Sequence, residues 1–262
     1  MDKTLRTAST GLSAQQRYIE IISNNLSNVN TNGYKKNRPE FQDLLYETLR
    51  PAGGNQRIGG EPLNEVQIGS GTQIIATNKE FSQGDVKATS NPLDLAINGE
   101  GFFMVRRQDN TQAYTRNGEF QLDRNGQITT AQGFVLEPGI SVPSDAVQVQ
   151  ISKDGIIKAT LNDGVTEQTL GQVELARFIN PAGLKAMGDN IYQESAASGK
   201  PYFDQPGYNN TGQIIQNAVE TSNVDIVEEM VNMIVAQRAY ELNSKSVKTA
   251  DDVLSTAVNL KR

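Results

Sequence analysis

Apolar positions recur at alternating steps of three and four residues near both ends of the 262-residue chain. A sustained heptad stripe of this kind is typical of a helix that buries one seam against other helices. The pattern therefore predicts two long terminal helices that associate through their stripes. The N-terminal stripe consists of Leu5, Ala8, Leu12, Gln15, Ile19, Ile22, Leu26 and Val29. The C-terminal stripe consists of Ile226, Glu229, Met233, Ala236, Tyr240, Asn243, Val247, Ala250, Leu254 and Ala257.

The sequence signals for where the two helices begin and end are weaker than the stripes themselves. The first stripe continues through an Asn-rich run, so this helix is predicted to reach about Asn32 and to stop at Gly33. Gly11 interrupts it at a cost of ~1 kcal/mol relative to Ala. The second helix is predicted to begin after Thr221 or Ser222 as the N-cap. Because isolated helices gain most of their stability from packing, we expect both to be poorly ordered in the free monomer.

Between the helices the pattern changes to short β-type segments separated by turn residues. From Pro92 to about Tyr202, apolar runs of strand length alternate with Asn-Gly and Asp-Gly dipeptides. These dipeptides favour tight turns because both residues tolerate positive φ. The spacing predicts a small antiparallel sandwich or barrel-like domain. The predicted fold class is therefore α+β, with long N- and C-terminal helices forming a coiled coil and a central antiparallel β-rich domain.

The stretch between the first helix and the β-rich part has a mixed pattern. Residues 41–49 are amphipathic and predict one more short helix, residues 51–62 are rich in Gly and Pro and predict an extended arm, and residues 73–77 predict a strand. We therefore expect three domains. They are a terminal helical polymerisation domain (1–34 with 217–262), a connector with the extended arm (35–91 with 203–216) and a β-rich domain (92–202).

Composition and charge exclude several classes of function. The formal net charge of −6 argues against a nucleic-acid-binding surface, which is usually basic. The chain has no Cys and no His, which removes thiolate nucleophiles, Cys-type zinc sites and the commonest general base. No apolar run is long enough to predict membrane insertion, and the N-terminus lacks the apolar core of a cleavable signal peptide.

Three short sequence features are weak matches to ligand-binding or catalytic motifs. Gly99-Glu-Gly101 resembles the start of a dinucleotide fingerprint, but Met104 occupies the third glycine position and β-type residues follow. Asp123 to Gln127 resembles part of a calcium loop without its closing Glu. Carboxylates are common, and their spacing does not define a glycosidase pair. We therefore predict no catalytic residue, no metal, no cofactor and no enzyme activity. An enzyme or adhesin that uses similar ends for anchoring is the competing class.

Three longer motifs, in this order along the chain, give a more specific signal. The run from Ile22 to Lys35, which reads Ile-Ser-Asn-Asn-Leu-Ser-Asn-Val-Asn-Thr-Asn-Gly-Tyr-Lys, resembles the N-terminal signature of flagellar rod and hook proteins. Asp94 to Val105 resembles their mid-chain signature, and Glu220 to Lys245 resembles their C-terminal signature. The chain is therefore identified, by resemblance over its whole length, as a member of the flagellar rod and hook axial protein family.

The resemblance implies a function and an architecture. Hook proteins are usually much longer, so it implies a structural subunit that polymerises into the rigid distal rod, the drive shaft that transmits torque from motor to hook. A proximal rod protein or a short hook-like protein of the same family is the alternative. In such a polymer the terminal helices form an inner coiled-coil layer, the connector surrounds it, and the β-rich domain lies outside. The Gly- and Pro-containing stretch 47–71 resembles the one that distinguishes the distal rod, and we expect it to wedge between subunits and keep the rod straight.

The resemblance also implies a location and partners. The location is the periplasmic rod of the bacterial flagellar basal body, reached through the flagellar type III export apparatus without a cleavable signal peptide. The partners are further copies in a helical homopolymer, the proximal rod proteins, the hook protein, the rod-capping protein, and the L- and P-ring proteins where present. Neither nucleic acid nor a membrane is among the expected partners. The predicted self-assembly interface consists of Leu5, Leu12, Ile19, Ile22, Leu26, Val29, Ile226, Met233, Tyr240, Val247 and Leu254.

Overall fold

The computed structural model describes residues 2–50, 65–162 and 167–259 and divides the chain into two compact units. The helical unit contains Met1–Leu26, Asn37–Asn78 and Asp225–Arg262. The β-rich unit contains Ser27–Lys36 and Lys79–Val224. The fold class is thus α+β, as the sequence pattern predicts. Within the described residues, no helix is both long and apolar enough to cross a membrane.

The helical unit combines the two terminal helices with four strands. Strands β1 and β4 form one two-stranded sheet, and β2 and β3 form another. The elements are α1 (Asp2–Ser27), β1 (Asn37–Asp43), β2 (Tyr46–Arg50), β3 (Val66–Gly69), β4 (Thr72–Lys79) and α2 (Ile226–Asn259).

The first helix ends earlier than the stripe predicts. α1 stops at Ser27, and residues 28–33 form turns in place of two more helical turns. Asn favours turns over helix because its side chain competes for backbone hydrogen bonds. The Thr31 amide donates to the Asn28 carbonyl oxygen at 3.1 Å, and the Gly33 amide donates to the distant Glu220 carbonyl oxygen at 2.8 Å. The prediction of helix to Asn32 was therefore wrong, although Gly33 does adopt a left-handed φ of 69°.

The connector contains strands where the sequence predicts a helix. Residues 41–43 belong to β1 and residues 46–49 belong to β2, and β2 pairs antiparallel with β3 in a register that places Tyr46 opposite Gly69. A short amphipathic run does not distinguish helix from strand, and here a partner about 20 residues further along the chain decides the outcome. The predicted strand at 73–77 lies inside β4. The centre of the predicted arm, residues 51–64, lies outside the described residues.

The β-rich unit carries the remaining strands in several antiparallel sheets. The largest sheet follows the order β16-β17-β8-β7-β11-β10-β9, with β15 also pairing β7 and β18. A three-stranded sheet has the order β12-β13-β14, and β6 pairs β19 while β5 pairs β20. The strands are β5 (Val86–Ala88), β6 (Leu95–Asn98), β7 (Phe102–Arg106), β8 (Gln112–Thr115), β9 (Phe120–Leu122), β10 (Ile128–Thr130), β11 (Val135–Leu136), β12 (Ala146–Ile151), β13 (Ile156–Leu161), β14 (Glu167–Gln172), β15 (Leu175–Arg177), β16 (Lys185–Gly188), β17 (Ile191–Gln193), β18 (Tyr202–Asp204), β19 (Gln213–Gln216) and β20 (Ala218–Glu220), with a 3₁₀ helix at Pro181–Gly183.

Two hydrophobic clusters form the core of this unit. The larger includes Leu95, Phe103 and Leu175, and the smaller is an aromatic group around Phe102, Tyr114 and Tyr192. Asn125-Gly126 between β9 and β10 and Asp154-Gly155 between β12 and β13 are predicted turn dipeptides that do lie between strands, whereas Asp163-Gly164 lies outside the described residues. Gly118 has a different role, because a Cβ there would lie 1.6 Å from the carbonyl oxygen of Leu95. Glycine at position 118 therefore permits a close backbone contact with Leu95, which is a member of the larger cluster.

Candidate functional site

The two terminal helices face each other inside the helical unit. A Cβ placed on Gly11 would lie 2.9 Å from Nδ2 of Asn243, so α1 and α2 approach closely there. The glycine that weakens α1 as an isolated helix is therefore the residue that lets α2 come near. Towards the other end of α1, burial raises the pKa of Tyr18, and the carboxylates of Glu229 and Glu228 add to the increase. The helices thus run in opposite directions where they meet.

The start of α2 is fixed by a side-chain cap. Oδ1 of Asp225 accepts hydrogen bonds from the amides of Val227 at 2.8 Å and Glu228 at 3.2 Å. Glu228 and Glu229 lie in the first turn, where carboxylates interact favourably with the helix dipole. The helix therefore begins three or four residues later than the predicted caps, Thr221 and Ser222.

The predicted interface residues fall into different environments. Ile22 is 1% exposed and is already buried inside the single subunit, whereas Ile226 and Tyr240 are exposed. Val29 lies in the turns that follow α1, outside the helix. The side chain of Leu254 lies outside the described residues. The remaining members are partly exposed, namely Leu5, Leu12, Ile19, Leu26, Met233 and Val247.

A second apolar face of α2 is more exposed than the predicted stripe. At roughly 100° per residue it lies on nearly the opposite side of the helix from Met233 and Ala236. Ile234 is 55% exposed on this face, and Ala236 on the stripe is 1% exposed. The heptad pattern predicts only the stripe and does not predict this second face. The unbroken apolar run at residues 233–236 is the sequence signal that indicates it. The face consists of Val227, Met230, Val231, Ile234, Val235 and Leu242.

The β2–β3 pair carries a further exposed apolar group. Leu45, just before β2, is 89% exposed. Two-stranded ribbons are marginally stable in water unless another surface covers them. An ion pair at 2.6 Å between Lys3 Nζ and Glu47 ties β2 to the start of α1. The exposed side chains of this ribbon are Leu45, Tyr46, Leu49, Val66 and Ile68.

An open groove lies between the helices near the N-terminus of α1. Its volume is about 540 Å³, and Thr4 lines it on one side. Leu242, Ala250 and Val253 of α2 supply its apolar wall, and Lys245 lies at its edge. The two helices of one subunit therefore leave apolar surface between them that a further segment could fill. Within the described residues, no group of three or more His, Cys, Asp or Glu side chains could hold a metal ion.

Comparison with known proteins gives matches to three family models. Residues 5–35 match "Flagella basal body rod protein", residues 96–159 match "Flagellar hook protein FlgE/F/G D1 domain", and residues 215–260 match "Flagellar basal body rod FlgEFG protein C-terminal". The first and last matches cover α1 and α2, and the middle match lies in the β-rich unit.

Curated relatives align over nearly the whole chain. The flagellar basal-body rod protein FlgG of Buchnera aphidicola subsp. Schizaphis graminum is 46% identical over 97% of this chain and 98% of its own length. The FlgG of Borreliella burgdorferi is 46% identical over the full length of both proteins. The FlgG of Caulobacter vibrioides is 43% identical over 99% of each.

Proposed function

This chain belongs to the flagellar basal-body rod protein family, and on that premise we propose that it forms the distal part of the rod, the drive shaft between motor and hook. It is a structural subunit that assembles into the rod of the flagellar basal body. The relatives that align end to end carry the name FlgG, which favours the distal rod over the alternatives of a proximal rod protein or a short hook-like protein.

The exposed second face of α2 is the observation that carries the proposal. The first third of α2 carries apolar side chains on two opposite sides, and burial of both sides stabilises such a stretch in water. The single subunit covers the side that holds Ala236 and leaves the side that holds Ile234 open. Large exposed apolar patches mark interaction sites, and a repeating subunit can cover this one with its own copies.

Each predicted interface residue receives a proposed role from its environment. Ile22 holds α1 inside the subunit, and the partly exposed stripe residues finish their burial against neighbouring copies. The result is an inner coiled-coil layer of terminal helices, with the connector around it and the β-rich domain outside. The groove between Thr4 and Val253 accepts a helix of an adjacent subunit in this arrangement.

The β2–β3 ribbon is proposed to stiffen the polymer. Its exposed side chains, such as Leu45 and Tyr46, would lose contact with water only against another subunit. A ribbon held between two subunits prevents the subunits from sliding past each other. A straight shaft requires that its subunits do not slide. Shortening the ribbon should produce bent rods in electron micrographs, and straight rods would contradict this role.

The proposed partners other than further copies of the chain bind the ends and the sides of the polymer. Head-to-tail interfaces leave two unlike ends, and each end needs a different partner. We propose the proximal rod proteins at one end, the hook protein and the rod-capping protein at the other, and the L- and P-ring proteins around the shaft where present. Delivery to the periplasm would use the flagellar type III export apparatus.

A complementation experiment tests the proposal. Cells that lack their own distal rod subunit would express the wild-type chain, Val231→Asp or the control Gln237→Asp, where Gln237 is an exposed polar residue of the same helix. We expect the wild type and Gln237→Asp to build full-length rods, and Val231→Asp to give basal bodies that stop before the distal rod. Full-length rods and normal swimming with Val231→Asp would contradict the proposed interface.

A further inference from the structure

Three charged side chains meet in the interior of the β-rich unit. Nζ of Lys35 lies 2.5 Å from Oε1 of Glu220, and neither side chain has any exposed surface. Nη1 of Arg116 lies 3.7 Å from Oε2 of the same carboxylate, with the Arg116 side chain 4% exposed. Charged side chains are rarely buried this completely unless they are paired. Two cations therefore share one buried anion.

The three residues come from distant parts of the chain. Lys35 belongs to residues 27–36, which follow α1 and are called here the exit segment. Glu220 belongs to residues 218–224, which precede α2 and are called here the entry segment. Arg116 follows strand β8 of the core. The charges thus join both segments that lead to the terminal helices to the β-rich unit itself.

Backbone hydrogen bonds reinforce the same connection. The Gly33 amide donates to the Glu220 carbonyl oxygen at 2.8 Å, and the Lys36 amide donates to Oδ1 of Asn223 at 2.8 Å. The amide of Gly84 donates to Glu220 Oε1 at 3.0 Å, and Lys35 Nζ donates to the Ser82 carbonyl oxygen at 2.7 Å. The exit and entry segments therefore bind each other directly as well as the loop 82–84.

The balance of charge makes each segment depend on the other. If the exit segment were buried alone, Lys35 and Arg116 would face each other in the interior without their one buried anion. Arg116 would keep the Gly99 carbonyl oxygen, which accepts from Nη2 at 2.8 Å, and the Glu100 carboxylate, whose charge partly offsets the lowering of the Arg116 pKa by burial. If the entry segment were buried alone, Glu220 would keep the Gly84 amide, and its one remaining buried cation would be Arg116, whose Nη1 is too distant for a hydrogen bond to Oε2. An unpaired buried charge is far more costly than a lost contact between neutral groups.

We propose that Lys35, Arg116 and Glu220 form a charge lock that makes burial of the exit segment and burial of the entry segment conditional on each other. The lock ensures that a folded β-rich unit holds both segments or neither. A subunit with one segment docked and the other loose is thereby disfavoured before any assembly step. This inference concerns the folded subunit and does not depend on the proposed position in the rod.

A double-mutant cycle on the full-length chain tests the lock. Glu220→Gln removes the one buried anion from two buried cations, so we expect it to lower the Tm by roughly 10 °C, whereas Lys35→Met leaves the Arg116–Glu220 pair and should cost less. In the double variant Lys35→Met removes one of the two unpaired cations. It should therefore recover at least half of the loss caused by Glu220→Gln. Independent contributions from the two side chains would make the two losses add, and a double variant at or below the Tm of Glu220→Gln would overturn the proposal.

The exposed pair Lys158–Glu167 provides a matched control in the same unit. Its atoms lie 3.1 Å apart with about half of each side chain exposed. Lys158→Met, Glu167→Gln and their double variant should each change the Tm by no more than about 2 °C, because exposed pairs contribute little. If Glu220→Gln fails to fold, folding of Lys35→Met/Glu220→Gln would support the lock. Failure of both to fold would refute it.

Hydrogen exchange provides a second readout, measured on the segment that does not carry the substitution. Lys35→Met changes only the exit segment. Under the lock it should nevertheless speed exchange of the Thr221 amide in the entry segment, which donates to the Asp85 carbonyl oxygen at 2.8 Å. Glu220→Gln should likewise speed exchange of the Lys36 amide. Faster exchange confined to the segment that carries the substitution would contradict conditional burial.

Discussion

Replacing Ile234 with Ala isolates the contribution of the open face of α2 to assembly. Ile234 is 55% exposed in the single subunit, so about half of its side chain remains to be buried. Full burial of an Ile contributes ~1.5–3 kcal/mol, and the exposed half therefore contributes about 0.8–1.6 kcal/mol per added subunit. Since 1.4 kcal/mol corresponds to about tenfold in an equilibrium constant, Ile234→Ala should raise the critical concentration for polymerisation by roughly fourfold to fifteenfold.

Sedimentation of purified subunit over a range of concentrations measures this value directly. The control Gln237→Ala removes an exposed polar side chain of the same helix and should leave the critical concentration within about twofold of the wild type. Thermal unfolding of unassembled Ile234→Ala should match the wild type within about 2 °C, because the position is exposed and Ala favours the helix. If folded Ile234→Ala polymerised at the wild-type critical concentration, the face would not be buried in the polymer.

Three further outcomes follow from other contacts. Ile22→Ala should destabilise the unassembled subunit by about 2–5 kcal/mol in urea unfolding, because Ile22 is buried within it, and no loss would mean that α1 orders only on assembly. Gly11→Ala should be near neutral in thermal unfolding because the flexible amide of Asn243 can move, whereas Gly11→Val should cost about 1–3 kcal/mol through overpacking, and equal effects would contradict the close approach. Burial raises the pKa of Tyr114 to about 12 from 10, so its neutral form stabilises the fold fully below pH 10, and this contribution is lost as the pH rises to about 12. Tyr114→Phe should therefore remove about 2–3 kcal/mol of the decline in unfolding free energy between pH 10 and 12, and an unchanged decline in urea titrations would refute this.

The regular parts of the fold could be predicted from local pattern. The heptad stripes place both helices, and Asn-Gly pairs mark turns between strands, because both signals depend only on neighbouring residues. The end of α1 could not be predicted in this way. Residues 28–33 are held by distant parts of the chain, as where the Gly33 amide donates to the Glu220 carbonyl oxygen at 2.8 Å. Strand β2 likewise needs β3, so an amphipathic run alone gave the wrong element.

The heptad pattern also could not predict which side chains of the candidate site remain exposed in the single subunit. A heptad stripe predicts a buried helix face, and Ala236 and Ile22 on the stripes are buried in the single subunit. Burial within the subunit and burial between subunits produce the same periodicity, so the stripe cannot separate them. The exposure of each side chain in the folded subunit distinguishes the two kinds of burial. By this criterion Ile234 and its exposed apolar neighbours are the strongest candidates for contacts between subunits.

The first third of α2 therefore has two separate requirements for burial. On one side Ala236 is covered by its own subunit, and on the other side Val231 and Ile234 remain open. The subunit can fold with the first side buried, and under the proposed function neighbouring copies in the polymer cover the second. Substitutions on the two sides should consequently differ in kind. Those on the covered side lower the stability of the free subunit, and those on the open side lower the affinity between subunits while the free subunit stays folded.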